Sequence, residues 1–191
     1  MSPIVLLPLA AAASAAPDAV QAVHNFSACL VRKAPADAYG LLAIDVPGPV
    51  YMAKLQSAVK SHRCLKKGAS LRADGLLLAG TLAEALLETK FQPSIPPEQL
   101  GPDAQRALPA AQNERDAFGQ CTVLRAPKAI TSLFATAPAT DRETRAFEAL
   151  KPTMSSCLKR NQKLNDNHPA LRSILALAAW RIVSAPRRAG R

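Results

Sequence analysis

The chain has 191 residues with 24 Lys and Arg against 14 Asp and Glu, a formal charge of +10, and 49% of its residues are hydrophobic. That apolar content supports a packed core and excludes a disordered or low-complexity protein. Aromatics at 4%, with one Trp and two Tyr, leave no stacking platform for single-stranded nucleic acid, and 8 Gly beside abundant Ala and Leu favour helices over a β-sandwich.

Residues 1–15 read as a signal peptide. Ile4 to Ala13 form an apolar run of ten residues, too short to span a bilayer but the right length for a signal core. Ala13-Ser14-Ala15 supplies the small residues that place cleavage before Ala16. The start brings no Lys or Arg, a departure from the usual cationic n-region, and no Cys follows the cleavage site to carry a lipid anchor. The other strongly apolar stretch, Leu76 to Leu87, is twelve residues long and contains Glu84, so it reads as a buried helix rather than a membrane span. The mature chain is expected to be exported, periplasmic or extracellular, with no transmembrane segment.

An internal duplication organises the rest. Phe26-Ser-Ala-Cys29-Leu-Val31-Arg-Lys33-Ala34-Pro35 matches Phe118-Gly-Gln-Cys121-Thr-Val123-Leu-Arg125-Ala126-Pro127 without a gap at an offset of 92, and Leu41 and Ala43 fall on Leu133 and Ala135. Cys64-Leu65-Lys66-Lys67 falls on Cys157-Leu158-Lys159-Arg160 at an offset of 93, as do Leu71, Leu78, Leu82, Ala83 and Ala85 on Leu164, Leu171, Leu175, Ala176 and Ala178. One inserted residue reconciles two units, 16–90 and 114–183. Residues 91–113 hold five prolines and read as a semi-rigid linker with room for one short helix. Residues 184–191 read as a disordered basic tail. Net charge is +4 over Ala22–Pro93 and +5 over Glu114–Val183, so the basic character is shared by both units.

Each unit is predicted to hold four helices, giving an all-α fold of two tandem units packed on each other, since about seventy residues are few for an independent core. In the second unit Asn113 caps a helix to about Leu124, and Pro127 opens the next, through Phe134. Thr140 with Glu143 forms a capping-box pattern for the third, which Pro152 should kink or split. The fourth starts around Asn167-His168-Pro169 and carries the stripe Leu171, Ile174, Leu175, Ala178, Ile182; its counterpart runs from about Ala73 to Glu88.

Four cysteines in an exported chain point to two disulfides, for which three pairings exist. Equivalent units should repeat their staples, which favours Cys29–Cys64 with Cys121–Cys157. Two crossed pairings stay open, as do buried thiols if the chain is not exported. No Cys-x-x-C occurs and no Cys or His pair has zinc-ligand spacing, so no metal or other cofactor is expected.

Basic clusters flank the second cysteine of each unit: Lys60, Arg63, Lys66 and Lys67, then Lys159, Arg160 and Lys163. As candidate anion-binding residues they would concentrate lipid phosphates, a polyanionic envelope polymer or an acidic protein. The plainer account is cations that complement a helix C-terminus and keep the surface soluble. No recognition motif accompanies them, which argues against a DNA or RNA partner. The histidines His24, His62 and His168 align with Asp116, Ser155 and Gly75, so no catalytic His is common to both units. His62 lies near Cys64, but a disulfide sulfur is no nucleophile. His168, before Pro169, reads as a helix-start residue. Glu84 and Glu88, at i, i+4, align with Leu177 and Arg181. They could form an acid and base pair, although an exposed helix face or an ion pair with a nearby Arg is the simpler reading. No G-x-S-x-G, glycine-rich phosphate loop or H-E-x-x-H occurs, and no catalytic residue is assigned.

The motifs Cys-x-Val-x-[Arg/Lys]-Ala-Pro and Cys-Leu-Lys-[Lys/Arg], with the Leu82-Ala83-Glu84-Ala85-Leu86 helix, resemble exported bacterial proteins of unknown function built on the same duplicated unit, over most of residues 22–183. The resemblance implies no activity, substrate or site residue. The second unit has Leu175-Ala176-Leu177-Ala178-Ala179, without the Glu, which tells against a role in which both units present an acid. The expectation is an exported, non-catalytic binding or interaction module of the cell envelope, for an anionic ligand or acidic partner. The alternative is a small hydrolase-like enzyme with a cleft between the units and His24, His62 or Glu84 as base.

Overall fold

A computed structural model describes residues 17–44, 49–65, 73–102, 108–159 and 167–186, with Pro17 and Lys60 placed by their backbone alone. Residues 1–16, on which the signal-peptide expectation falls, lie outside the described residues, as do Lys66, Lys67, Arg160, Lys163 and residues 187–191. Those described form eight α-helices and no strand: α1 (Pro17–Lys33), α2 (Pro35–Leu42), α3 (Pro49–His62), α4 (Gly75–Lys90), α5 (Glu114–Arg125), α6 (Pro127–Phe134), α7 (Asp141–Cys157) and α8 (His168–Ser184), with a 3₁₀ turn at Pro97–Gln99. None of the described helices is long and apolar enough to cross a membrane.

Helix starts follow from local chemistry. The first amides of a helix have no intrahelical acceptor, and a short polar side chain ahead of the helix supplies one. Asp74 accepts from Leu77 N at 2.7 Å, Asn113 from Asp116 N at 2.9 Å and Asn167 from Ala170 N at 3.1 Å. Because Asp74 is the cap, α4 begins at Gly75, two residues later than the spacing of apolar residues suggests. Pro35 and Pro127, which lack the amide that would go unpaired, open α2 and α6. At α7 Thr140 Oγ1 accepts from Glu143 N at 3.3 Å, while the Glu143 carboxylate accepts from Ala139 N at 2.8 Å, so the return bond closes one residue ahead of the cap. The expected split at Pro152 does not occur: α7 runs unbroken to Cys157. Pro152 and Glu148, whose carbonyl loses its donor, are both exposed, so water can satisfy that carbonyl.

Packing centres on α4 and α8, which lie against each other; α1 and α2 cover α4, and α5 covers α8. Ten successive residues of α4, from Leu78 to Leu87, are buried, the pattern of a helix enclosed on all sides rather than of an amphipathic surface helix. Leu82, Leu87 and Leu175 are fully buried, and truncating one such Leu to Ala costs about 2–5 kcal/mol. The two helices meet at Gly80, where an added Cβ would lie 2.2 Å from Ser173 Cβ. The Pro-rich connection is more than a spacer, because Ile95 and Leu100 are buried in the core and the 3₁₀ turn packs on α6.

Disulfides join Cys29 of α1 to Cys64, just beyond α3, and Cys121 of α5 to Cys157, the last residue of α7, each with Cα atoms 5.7 Å apart. Both distances suit unstrained bridges.

Candidate functional site

The most elaborate polar arrangement lies where α8 meets α4 and the start of α7. The Arg172 guanidinium is 3% exposed, as are the side chains of Glu84 and Glu143. Arg172 Nε donates to Glu84 Oε2 at 2.9 Å, and Nη2 donates to Glu84 Oε1 at 2.5 Å and to the Thr136 carbonyl at 2.8 Å. Nη1 donates to Glu143 Oε1 at 2.8 Å and to Thr136 Oγ1 at 3.3 Å. Every guanidinium nitrogen therefore has an acceptor, the condition under which a buried charge is tolerated. Burial opposes the charge, but the hydrogen bonds and negative charges of Glu84 and Glu143 outweigh it and hold Arg172 above its ordinary value. Two carboxylates on one guanidinium leave a formal charge of −1.

Glu84 and Arg172 of this triad floor a cleft of about 350 Å³ walled by α1, α4 and the α6–α7 connection. His24 of α1 is half-buried in its wall. Burial lowers its pKa, with the Arg172 charge acting the same way against the opposite pull of Glu84 and Glu143. Glu88 stands exposed at the mouth, and its carboxyl is raised to about 7 by loss of water at its base and by the charge of Glu84, partly offset by Arg172. Neither the His24 nor the Glu88 side chain is hydrogen-bonded among the described residues. A neighbouring hollow of about 390 Å³, with Phe91, Pro93 and Ile95 in its wall, shares Glu88, Phe134 and Ala135 with this cleft.

A smaller cleft, of about 160 Å³, lies between the ends of α2 and α4 and the helices α5 and α8. Its walls are mainly apolar, with Leu42, Ile44, Leu76, Ile174, Leu177 and Trp180. Its edge carries an ion pair between Arg181 Nη1 and Asp116 Oδ2. Asp116 also accepts from Gln112 N at 2.9 Å and Gln120 Nε2 at 3.1 Å.

No protein-family model, curated protein or solved structure matches this chain. The geometry itself must carry the functional reading.

The sequence-derived candidates fare differently. Glu84 is not on an exposed face; it is buried and paired with an Arg 88 residues away, because α4 has no solvent side at that position. Of the anion-binding candidates, Lys159 is paired with Glu114 at 3.1 Å on the surface, and Arg63 follows α3 with a φ of 49°. The Lys60 side chain, Lys66, Lys67, Arg160 and Lys163 lie outside the described residues. His62 Nε2 lies 2.6 Å from Asp37 Oδ2, and Lys33 Nζ donates to the His62 carbonyl at 3.2 Å, so this pair holds α3 against α1 and α2. His168 opens α8 and stacks on Phe147 with ring centres 4.4 Å apart. Arg172, Glu143 and Thr136 escape sequence reasoning. One sequence signal is an Arg inside the apolar run of α8.

Proposed function

We propose that this protein is an exported, non-catalytic binding module of the cell envelope, built of two tandem homologous units, that takes a small ligand in the cleft above Arg172. The observation that carries this reading is the division of labour in that cleft. Its charged floor is fully hydrogen-bonded internally, while His24 and Glu88 line the cleft without side-chain hydrogen bonds among the described residues. A rigid, pre-satisfied floor with a few unengaged polar groups is the form small-molecule sites take.

The tandem arrangement is supported by helix starts that keep the repeat spacing: Pro35 and Pro127, and Pro49 and Asp141, at 92 residues, then Gly75 and His168 at 93. Export is supported by two disulfides, which persist in oxidising compartments. The charge of +10 favours an anionic envelope component as the neighbour of the basic surface.

The test is an amide-resolved NMR titration of the oxidised chain with a library of neutral, anionic and cationic small molecules. Shifts confined to Gln21, His24, Thr81 and Glu88 support the reading, and a cleft silent to every compound overturns it. A hydrolase is favoured by one fact, that His24 and Glu88 line the same cleft. Against it, the hydroxyls there are engaged: Thr81 donates to Leu78 O at 3.0 Å, and Thr136 donates to Leu133 O at 2.7 Å. Hydrolysis of ester, amide or glycoside substrates, lost in His24→Ala, would establish the enzyme instead.

A further inference from the structure

The repeat relates the two clefts residue by residue. At the offsets of 92 and 93, His24, Thr81, Glu84 and Glu88 correspond to Asp116, Ile174, Leu177 and Arg181, and Phe134, Ala135 and Thr136 correspond to Leu42, Ala43 and Ile44. The first set of each comparison lines the larger cleft and the second lines the smaller one. The buried triad changes as a set. Glu84 and Arg172 correspond to Leu177 and Ala79, and Glu143 corresponds to Tyr51 at the 92-residue spacing that also relates the starts of α3 and α7. One cleft thus has charged residues at three positions where its relative has none.

At the mouth the exchange takes another form. In the smaller cleft Asp116 and Arg181 pair with each other, so that cleft supplies its own cation. In the larger one the same positions hold an imidazole and a carboxyl. Burial favours the neutral imidazole at pH 7, so His24 cannot stand in for Arg181. The titratable groups around Glu88 in the cleft are His24 from α1, Glu84 from its own helix and Arg172 from α8, while Glu143 of α7 bonds to Arg172 without lining the cleft. Arg172 is already outnumbered by its two carboxylates. Lys90, next along α4, donates to Val183 O at 3.4 Å and lies over the Trp180 ring.

We propose that the larger cleft binds a small organic cation, an amine or guanidine, whose charge meets Glu88 where Arg181 meets Asp116 in the related cleft. This rests on the binding-module reading above. A volume of about 350 Å³ falls in the ~300–1,000 Å³ range of small-molecule sites, and a bare metal ion would leave most of it empty. Ala28, Ala85, Phe134 and Pro138 provide apolar wall for an alkyl chain. Only the carboxylate form of Glu88 pairs with the ligand, so affinity rises as Glu88 loses its proton.

Calorimetric titration of the oxidised full chain with butylamine, butane-1,4-diamine and methylguanidine tests this, with butanol, butyrate and zinc chloride as comparison probes. One amine or guanidine is expected per chain, with affinity rising about fivefold from pH 6 to pH 7 and levelling above pH 8. Glu88→Gln should weaken amine binding at least tenfold at pH 8 and flatten the pH dependence, while Glu148→Gln, at an exposed i, i+3 pair with Lys151, leaves both unchanged. Since Glu88 is exposed, its variant should fold, which circular dichroism checks. Equal binding of butanol or butyrate, preference for zinc, amine binding unchanged in Glu88→Gln, or no amine binding at millimolar concentration overturns the proposal. If the NMR titration finds cleft ligands that are neutral or anionic, the cation proposal fails and the binding module stands; a silent cleft removes both.

Discussion

Replacing Arg172 with Met removes the cation that pairs with Glu84 and Glu143 in the interior. The long apolar side chain fills much of the vacated space, so electrostatics dominates the effect. Removing one partner of a buried ion pair costs about 3–5 kcal/mol. Here two carboxylates, each with a side chain 3% exposed, lose the same partner, and the Thr136 carbonyl loses a donor. The upper part of that range is therefore expected, about 4–5 kcal/mol, or a fall in Tm of about 8–20 °C for a chain of this size. The loss has a definite pH dependence. Without Arg172, burial raises both carboxyls above their unfolded values, so the folded variant binds protons that the unfolded chain releases. Its deficit is then largest near neutrality and shrinks as pH falls towards the unfolded carboxyl value of about 4.3. Urea unfolding followed by helical circular dichroism, with disulfides intact, at pH 7.5 and pH 5 measures both quantities. Adding Glu84→Leu and Glu143→Gln should restore most of the loss, because Gln still accepts from Ala139 N. A neutral-pH loss below about 1 kcal/mol, the scale of an exposed pair, or an equal loss at both pH values, would refute this account.

Four further outcomes follow from other sites. Gly80→Ala should destabilise by about 1–3 kcal/mol or more, because its methyl would lie 2.3 Å from Ser173 Cα; Gly40→Ala, with open space around it in α2, should stabilise by about 0.5–1 kcal/mol, and chemical denaturation of the pair compares them. Glu88 has a folded pKa raised to about 7 from 4.5, so its stabilising contribution is present below 4.5 and is lost as pH rises through 7. The urea midpoint of Glu88→Gln should lack that decline, and an identical pH profile would count against it. His24, lowered from 6.5, acts in the opposite sense: its contribution is present above 6.5 and is lost as pH falls through its folded value. Deleting Cys29–Cys64, which closes a separation of 35 residues, should cost about 3–4 kcal/mol, and so should deleting Cys121–Cys157, with 36; thermal unfolding of the double-Ala variants measures each.

Helix boundaries were the most legible part of the fold, because caps act within four residues. Asn113, Pro127 and Thr140 begin their helices where their side chains dictate. Pro152 misleads for a local reason too, since its cost depends on whether water reaches the orphaned carbonyl, which the sequence does not record. The candidate site was harder to see. Arg172 and Glu84 are 88 residues apart, and each interrupts an apolar helix where the aligned helix has Ala79 or Leu177. Two charges that break the same repeat pattern, at positions bracketing a helix crossing, carry the information that they meet. That becomes readable only when the repeat is used to compare positions rather than to count units. His24 and Glu88 differ again: their spacing in sequence says nothing of the cleft, which exists because α1, α4 and the α6–α7 connection leave a gap over the triad.

Each disulfide closes within its own group of four helices, one inside α1–α4 and one inside α5–α8. Neither spans the contact between α4 and α8, so only the chain between α4 and α5 joins the two groups covalently. A single proteolytic cut in that connection would yield two separately stapled fragments held by packed apolar surface and by the buried Arg172–Glu84 pair. They would co-elute under native conditions, even in a reducing buffer if the helices persist, and separate in denaturant without any reductant. The molecule is in this sense a natural candidate for a two-part complementation system, in which assembly of the halves rebuilds the cleft above Arg172.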